Sequence, residues 1–347
     1  ENCKIMTVVL AMAFRQQYYL HLQRHCDGFK PEMNLSSTLD AVLKNDIIDL
    51  DSLRKLCLKS SVPPLYRPKV WRVLLGVYSK YPETWEYVQD QNRQQYEDLQ
   101  RSADILFKSF GTVSQNEEEE PNFGPESQEY SSKVAKVVRL YNVDCYLDVA
   151  SAISSVREKK NIPDIAKVFC SVFNENPVDA YFCHRKMVNQ RFLGAFGDDM
   201  NNVAQRPAEA EIIEKLIQKL HVIVRNKLPG LLSHLKSLNI RLHQFCYSWF
   251  CNYFASCLPT HNLKKVWDRI VSVGDSILPS YAYSILLATS EMLMSCTRTA
   301  SAHDILMTIP ENVTSKLDRI HAVALEHYES SEDYILLQSP KLSRSVQ

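Results

Sequence analysis

The chain has 347 residues, 40 of them basic and 40 acidic, for a formal net charge of zero. An apolar share of 45% is enough for one large or two modest domains with a sizeable core. Balanced charge without a dense basic block excludes a nucleic-acid binder that works by electrostatics. Eight glycines and little strand-like alternation point to an all-α chain. Ten cysteines form no CxxC pair and mostly lie inside apolar helical stretches, which reads as reduced thiols in a cytosolic protein. His243, Cys246, Cys251 and Cys257 come nearest to a metal set. Their spacing matches no structural zinc pattern, and neither metal nor cofactor is expected.

Residues 1–33 form an N-terminal segment. Ile5–Phe14 is apolar enough to imitate the core of a signal peptide, but it runs into Arg15-Gln-Gln-Tyr-Tyr without a small-residue cleavage site. It is also too short for a membrane span; no transmembrane segment is expected, and Met12 is a candidate initiator. The main domain is expected over 34–328. It opens with two short helices, Leu39–Leu43 capped from Ser36, Ser37 or Thr38, and Leu53–Leu58 capped by Asp49 or Asp51. After a break at Ser60–Pro64, a helix over Arg67–Gly76 carries Pro68 in its first turn, where the missing N–H costs nothing. Val70, Trp71, Leu74 and Leu75 supply its apolar face.

A long polar helix starts near Glu83. Residues 114–129, SQNEEEEPNFGPESQE, are acidic and lack an apolar period, so an unstructured insertion is expected there. Val134, Val138, Tyr141, Cys145, Val149, Ala152 and Val156 then repeat at steps of three or four. Val137 and Leu140 widen that stripe beyond one packing face. Core burial is the plainer reading for each residue singly. The surplus marks Val134, Val137, Val138, Leu140 and Tyr141 as a candidate docking face for a partner helix, with part of it exposed.

Helices at 163–173 and 178–196, a polar loop at 197–207 and a helix over Ala208–Asn226 follow. Trp249–Gly274 reads as two helices joined at Pro259, the first carrying Phe250, Phe254 and Cys257 and the second capped by Thr260. Ile277–Cys296 reads as a buried helix. Ser301–Ile309 and Val313–Tyr328 close the fold, and 329–347 is a flexible tail.

Two blocks carry a resemblance. WFCNYFASCLPTHNLKKVWDRIVSVG fits WF-x3-F-x3-LP-x7-WD-x5-G, and Arg67-Pro-Lys-Val-Trp-Arg-Val-Leu-Leu-Gly76 fits RxxVWxxLLG. In this order and at this distance they resemble the TBC domain, the fold shared by Rab GTPase-activating proteins, over about residues 60–300. Arg67, Trp71, Gly76, Trp249, Phe250, Pro259, Trp267 and Asp268 are its signature positions here. The resemblance implies a single TBC helical domain. It also implies an arginine finger from IxxDxxR, to neutralise charge on the transferring phosphoryl group, and a glutamine from YxQG, to orient the attacking water.

Both fingers depart from the pattern. In Arg101-Ser-Ala-Asp104-Ile-Leu-Phe107-Lys108 the arginine slot is Phe107, which donates no hydrogen bond. Lys108 lies about 100° further round the helix and lacks the bidentate fork. The glutamine motif is expected before Asn176–Met187, where Arg157–Lys167 holds neither glutamine nor glycine, and Gln190 lies out of place. Nor does any GxSxG, HExxH or P-loop offer other chemistry.

The chain is similar to the fingerless branch of that family that serves as third subunit of the tuberous sclerosis complex. That likeness implies an interaction subunit with a hamartin-like coiled-coil partner, supporting restraint of TOR complex 1 through Rheb. It further implies a cytoplasmic protein held on lysosome or vesicle membranes through its partners. The alternative is an active activator of a Rab-type small GTPase with substituted fingers.

Overall fold

The structure, a computed structural model, describes residues 30–109, 125–147, 162–190 and 209–331. Among these residues every regular element is helical. Residues 1–29, the core of the acidic insertion, 148–161, 191–208 and 332–347 lie outside the described residues, and residues 30–33, expected in the N-terminal segment, open the first helix.

Helix α1 spans Lys30–Leu43 and buries Leu35, Leu39 and Leu43 at four-residue steps. It begins upstream of Ser36–Thr38, so the caps expected there are interior helical residues. Helix α2, Leu50–Lys59, starts where Asp49 can cap it: the carboxylate accepts from the backbone N–H groups of Asp51 at 3.1 Å and Ser52 at 3.2 Å. Helix α3 spans Arg67–Leu74 with Pro68 in its first turn. It ends on Gly76, whose φ of 69° suits glycine.

A short 3-10 turn, Pro82–Thr84, leads into α4, Trp85–Ser109. Helix α5 is Pro125–Leu147. Residues 125–129 are thus helical where loop was expected, with Pro125, whose φ is already set, at the start. Helices α6, Ile162–Val172, and α7, Pro177–Gln190, pack on each other and on α5.

In the second half, α8 is Glu209–Lys227, α9 is Pro229–Ser237 and α10 is Leu242–Cys251. After α11, Thr260–Val273, a 3-10 turn at Gly274–Ile277 leads into α12, Leu278–Ser295. Helices α13, Thr299–Met307, α14, Glu311–Thr314, and α15, Leu317–Glu329, complete the fold. Helix α12 is the centre of this half, packed against α15, α8, α9 and α10. Helix α11 joins the halves, touching α2, α3 and α6. Thr260–Ser295 is long and apolar enough to cross a membrane by length and composition, yet 67% of its most apolar window is buried inside the fold. It reads as core.

The first helix of the Trp249–Gly274 block ends earlier than its stripe suggests. It stops at Cys251, and Asn252–Leu258 turn back, with Tyr253 at φ 54° and Phe254 at φ 65°. Two tertiary hydrogen bonds hold this left-handed pair. The Trp267 indole donates to the Tyr253 carbonyl at 2.9 Å, and Ile309 N–H donates to the Cys257 carbonyl at 3.1 Å. Pro259, extended at φ −65°, takes the N-cap position, so Thr260 is the first helical residue and not the cap.

Candidate functional site

The two signature blocks meet on one carboxylate. Asp268, on α11, accepts four hydrogen bonds. Arg67 Nε and the Trp71 indole donate to Oδ1 at 2.8 and 2.9 Å, and Arg67 Nη2 and the Val62 backbone N–H donate to Oδ2 at 2.9 and 3.0 Å. The same Arg67 Nη2 donates to the Val62 carbonyl at 2.7 Å. Both charges are withdrawn from water, Asp268 completely. Burial pushes the Asp268 carboxyl up, and the Arg67 guanidinium, the Trp71 indole and the Val62 amide pull it back. Trp71, Trp267 and Phe169 seal the pair, with ring centroids 5.3 to 6.0 Å apart. A second aromatic group gathers Trp249, Phe250 and Phe254, and the Trp249 indole donates to the Leu306 carbonyl at 3.0 Å. These signature residues are the frame. Arg67, Trp71, Trp249, Phe250, Trp267 and Asp268 are buried and cannot touch a substrate, while Gly76 and Pro259 are exposed at the turns they make.

The finger positions lie elsewhere. Phe107 and Lys108 fall in the last turn of α4, and their side chains lie outside the described residues. Of the stretch where the glutamine motif is expected, Arg157–Asn161 lie outside the described residues, and Ile162–Lys167 open α6. The one later tyrosine on this half, in Tyr181-Phe182-Cys183-His184 on α7, is followed by neither glutamine nor glycine. Cys183 is fully buried. One turn earlier on the same face, Asp179 is clamped by Arg72 Nη1 at 2.7 Å and Asn176 Nδ2 at 2.7 Å. Burial, with Asp179 nearby, pushes the Cys183 thiol well above its usual value.

The expected docking face is corrected. Val134, Val137, Leu140 and Tyr141 are in the core, because α5 is covered by α4, α6 and α7 together; its width serves three neighbours. Tyr141 also donates to Asn189 Oδ1 at 2.9 Å. Val138 alone is half-buried, on the wall of an open cleft of about 600 Å³ between α5 and α6. Val149, Ala152 and Val156 lie outside the described residues. The metal-like set is scattered: Cys246, Cys251 and Cys257 are buried, whereas His243 is exposed and 3.4 Å from Glu214. Among the described residues no three His, Cys, Asp or Glu side chains are grouped to hold a metal ion.

Residues 153–294 match the family model for the Rab-GTPase-TBC domain. The chain is 26% identical over 305 residues to TBC1 domain family member 7 of Danio rerio, covering 88% of this chain and 91% of that one. Against the Homo sapiens protein of the same name the identity is 25% over 301 residues, covering 86% and 89%. The fold matches the crystal structure of the Ypt/Rab-GAP domain of Gyp1p with a TM-score of 0.64 at 16% identity, over 86% of this chain and 98% of that one.

Proposed function

This chain being a TBC-domain protein, we propose that it keeps the frame of a GTPase activator without its chemistry and serves as an interaction subunit. The observation that carries the reading is the sequence at the two finger positions: Phe107 stands in the arginine slot, and Arg157–Lys167, where the glutamine is expected, holds neither glutamine nor glycine. Fold alone does not establish activity, so the likeness to Rab-activating domains leaves the chemistry to these residues. Two whole-length relatives named TBC1 domain family member 7 support the finer reading. In it the protein is a component of a tuberous-sclerosis-type complex, binds a hamartin-like coiled coil and supports restraint of TOR complex 1 through Rheb, on lysosome or vesicle membranes.

The test is single-turnover GTP hydrolysis across a Rab panel with the full chain, alongside binding to a hamartin-type coiled-coil peptide. The expected result is hydrolysis at the intrinsic rate and saturable peptide binding. An arginine finger supplies about 10³–10⁵ in rate, so acceleration on that scale by any Rab, lost on Lys108→Ala, would establish the second reading, an activator with substituted fingers.

A further inference from the structure

On the opposite half of the molecule from the finger positions, α8, α9 and the start of α10 enclose a groove of about 520 Å³. Its wall on α8 is a single helical face, Glu214, Ile217, Gln218 and His221, at steps of three and four. Those two turns run about 10 Å, long enough to lie alongside two turns of another helix. Ile217, Leu232 and Ile240 form an apolar floor, and the exposed cations Lys236 and Arg241 stand on the rim. The N-terminal end of α10, at Leu242 and His243, opens onto the same space and adds its positive dipole end.

On this face Glu211 pairs with Lys215 at 2.8 Å, and Glu214 stands 3.4 Å from His243, a pairing that is ionic only when the imidazole is protonated. Among the described residues no carboxylate lies within ion-pair distance of Lys236 or Arg241. From the start of α8 at Glu209 to Tyr247 the sequence carries six Lys or Arg (215, 219, 225, 227, 236, 241) against three Glu (209, 211, 214), a surplus of three positive charges in a chain of net zero. Apolar surface continues past the groove: Val222, one position beyond the lining His221, is 47% exposed, and Tyr247, stacked on His243 with centroids 5.6 Å apart, is 38% exposed.

We propose that this groove is a docking site for an acidic amphipathic helix of a partner protein. Leucine-type anchors at i and i+4 would fill the floor, and carboxylates flanking them would face Lys236, Arg241 and the end of α10. A lipid headgroup or a nucleic-acid backbone would meet the cations and leave the apolar floor unfilled, and a flat bilayer does not enter a concavity. The inference stands on the groove itself and is independent of whether the GTPase-activating chemistry is lost.

The test uses the full chain and two synthetic helical peptides with leucines at i and i+4, one with glutamates on the remaining positions and one with lysines. Fluorescence anisotropy is read at low and moderate salt. The glutamate peptide should bind and weaken with salt, and Lys236→Glu with Arg241→Glu should cut its affinity about tenfold or more. The pair Arg225→Glu with Lys227→Glu makes the same charge change off the groove and should cost about threefold or less. Circular dichroism should show both double variants folded. Equal affinity for the lysine peptide, no binding of the glutamate peptide, or equal losses in the two double variants overturns the proposal. So does binding of phosphatidylserine vesicles with no binding of the glutamate peptide, which assigns the face to a membrane.

Discussion

Asp268 illustrates what one side chain can hold. Its four donors come from three residues that lie about 200 positions upstream, and the pair is sealed by indole and phenyl rings. A buried ion pair adds little over a well-packed apolar pair, but removing one partner strands the other, at about 3–5 kcal/mol. Asp268→Asn keeps the volume and leaves the Arg67 cation unmatched. It should lower unfolding free energy by about 3 kcal/mol or more in a denaturant titration, and a loss below about 1 kcal/mol would refute this role. A second residue sets acid sensitivity. His321 shares a 2.7 Å hydrogen bond with Tyr281, and burial, helped by Arg269 and Lys265, pushes its pKa down to about 2. An unfolded chain protonates this histidine below about pH 6.5 and the native one does not, so the unfolded state binds the extra proton in that window. The native fold has its full stability from this group above pH 6.5 and loses about 1.4 kcal/mol per unit as pH falls below it. Urea titrations from pH 7.5 to 5 should show His321→Leu flatter than the wild type by that slope; identical slopes would contradict the assignment. Trp71, Trp267 and Asp268 were legible as signature positions through the resemblance that the two blocks carry. That they converge on Arg67 and Val62 was not, because spacing along a chain does not state which polar groups are buried together.

Elements were legible where apolar period and punctuation agreed. Pro68 and Gly76 bracket α3 as expected, and α12 follows its apolar run. The reading failed where tertiary contacts override local pattern. Phe250, Phe254 and Cys257 keep a helical spacing, yet α10 stops at Cys251 and the left-handed Tyr253–Phe254 pair delivers the rings to the core by a turn. It failed again on α5, where a wide stripe meant three covering helices rather than one absent partner. Gly274 marks a junction that only glycine serves. At φ 77° and ψ −156° it lies in a region closed to other residues, while no atom stands within 4 Å of an added Cβ. Gly274→Ala should therefore cost about 1–3 kcal/mol through the backbone alone. Gly230, helical in α9 and equally open, gives the contrast: Gly230→Ala should gain about 0.4–1 kcal/mol. Thermal melts should move in opposite directions, and a shift of the same sign in both would contradict this account.

At the scale of the molecule, the fold class and the resemblance to a family were carried by two short blocks, whereas the finger positions were only half legible. Phe107 could be read from its neighbours in the sequence, whereas the glutamine is expected in Arg157–Lys167, much of which lies outside the described residues. Helix α11 lies between the halves and carries the carboxylate that completes the first of them. This has a consequence for synthesis. Val62 and Arg67 leave the ribosome about 200 residues ahead of Asp268, a wait of about 10–40 s at ordinary elongation rates. Throughout that interval the guanidinium of α3 has no carboxylate to bury against, and contacts of such sequence separation form late and slowly. The buried pair that ties α3 to α11 can therefore close only once the last third of the chain has been made.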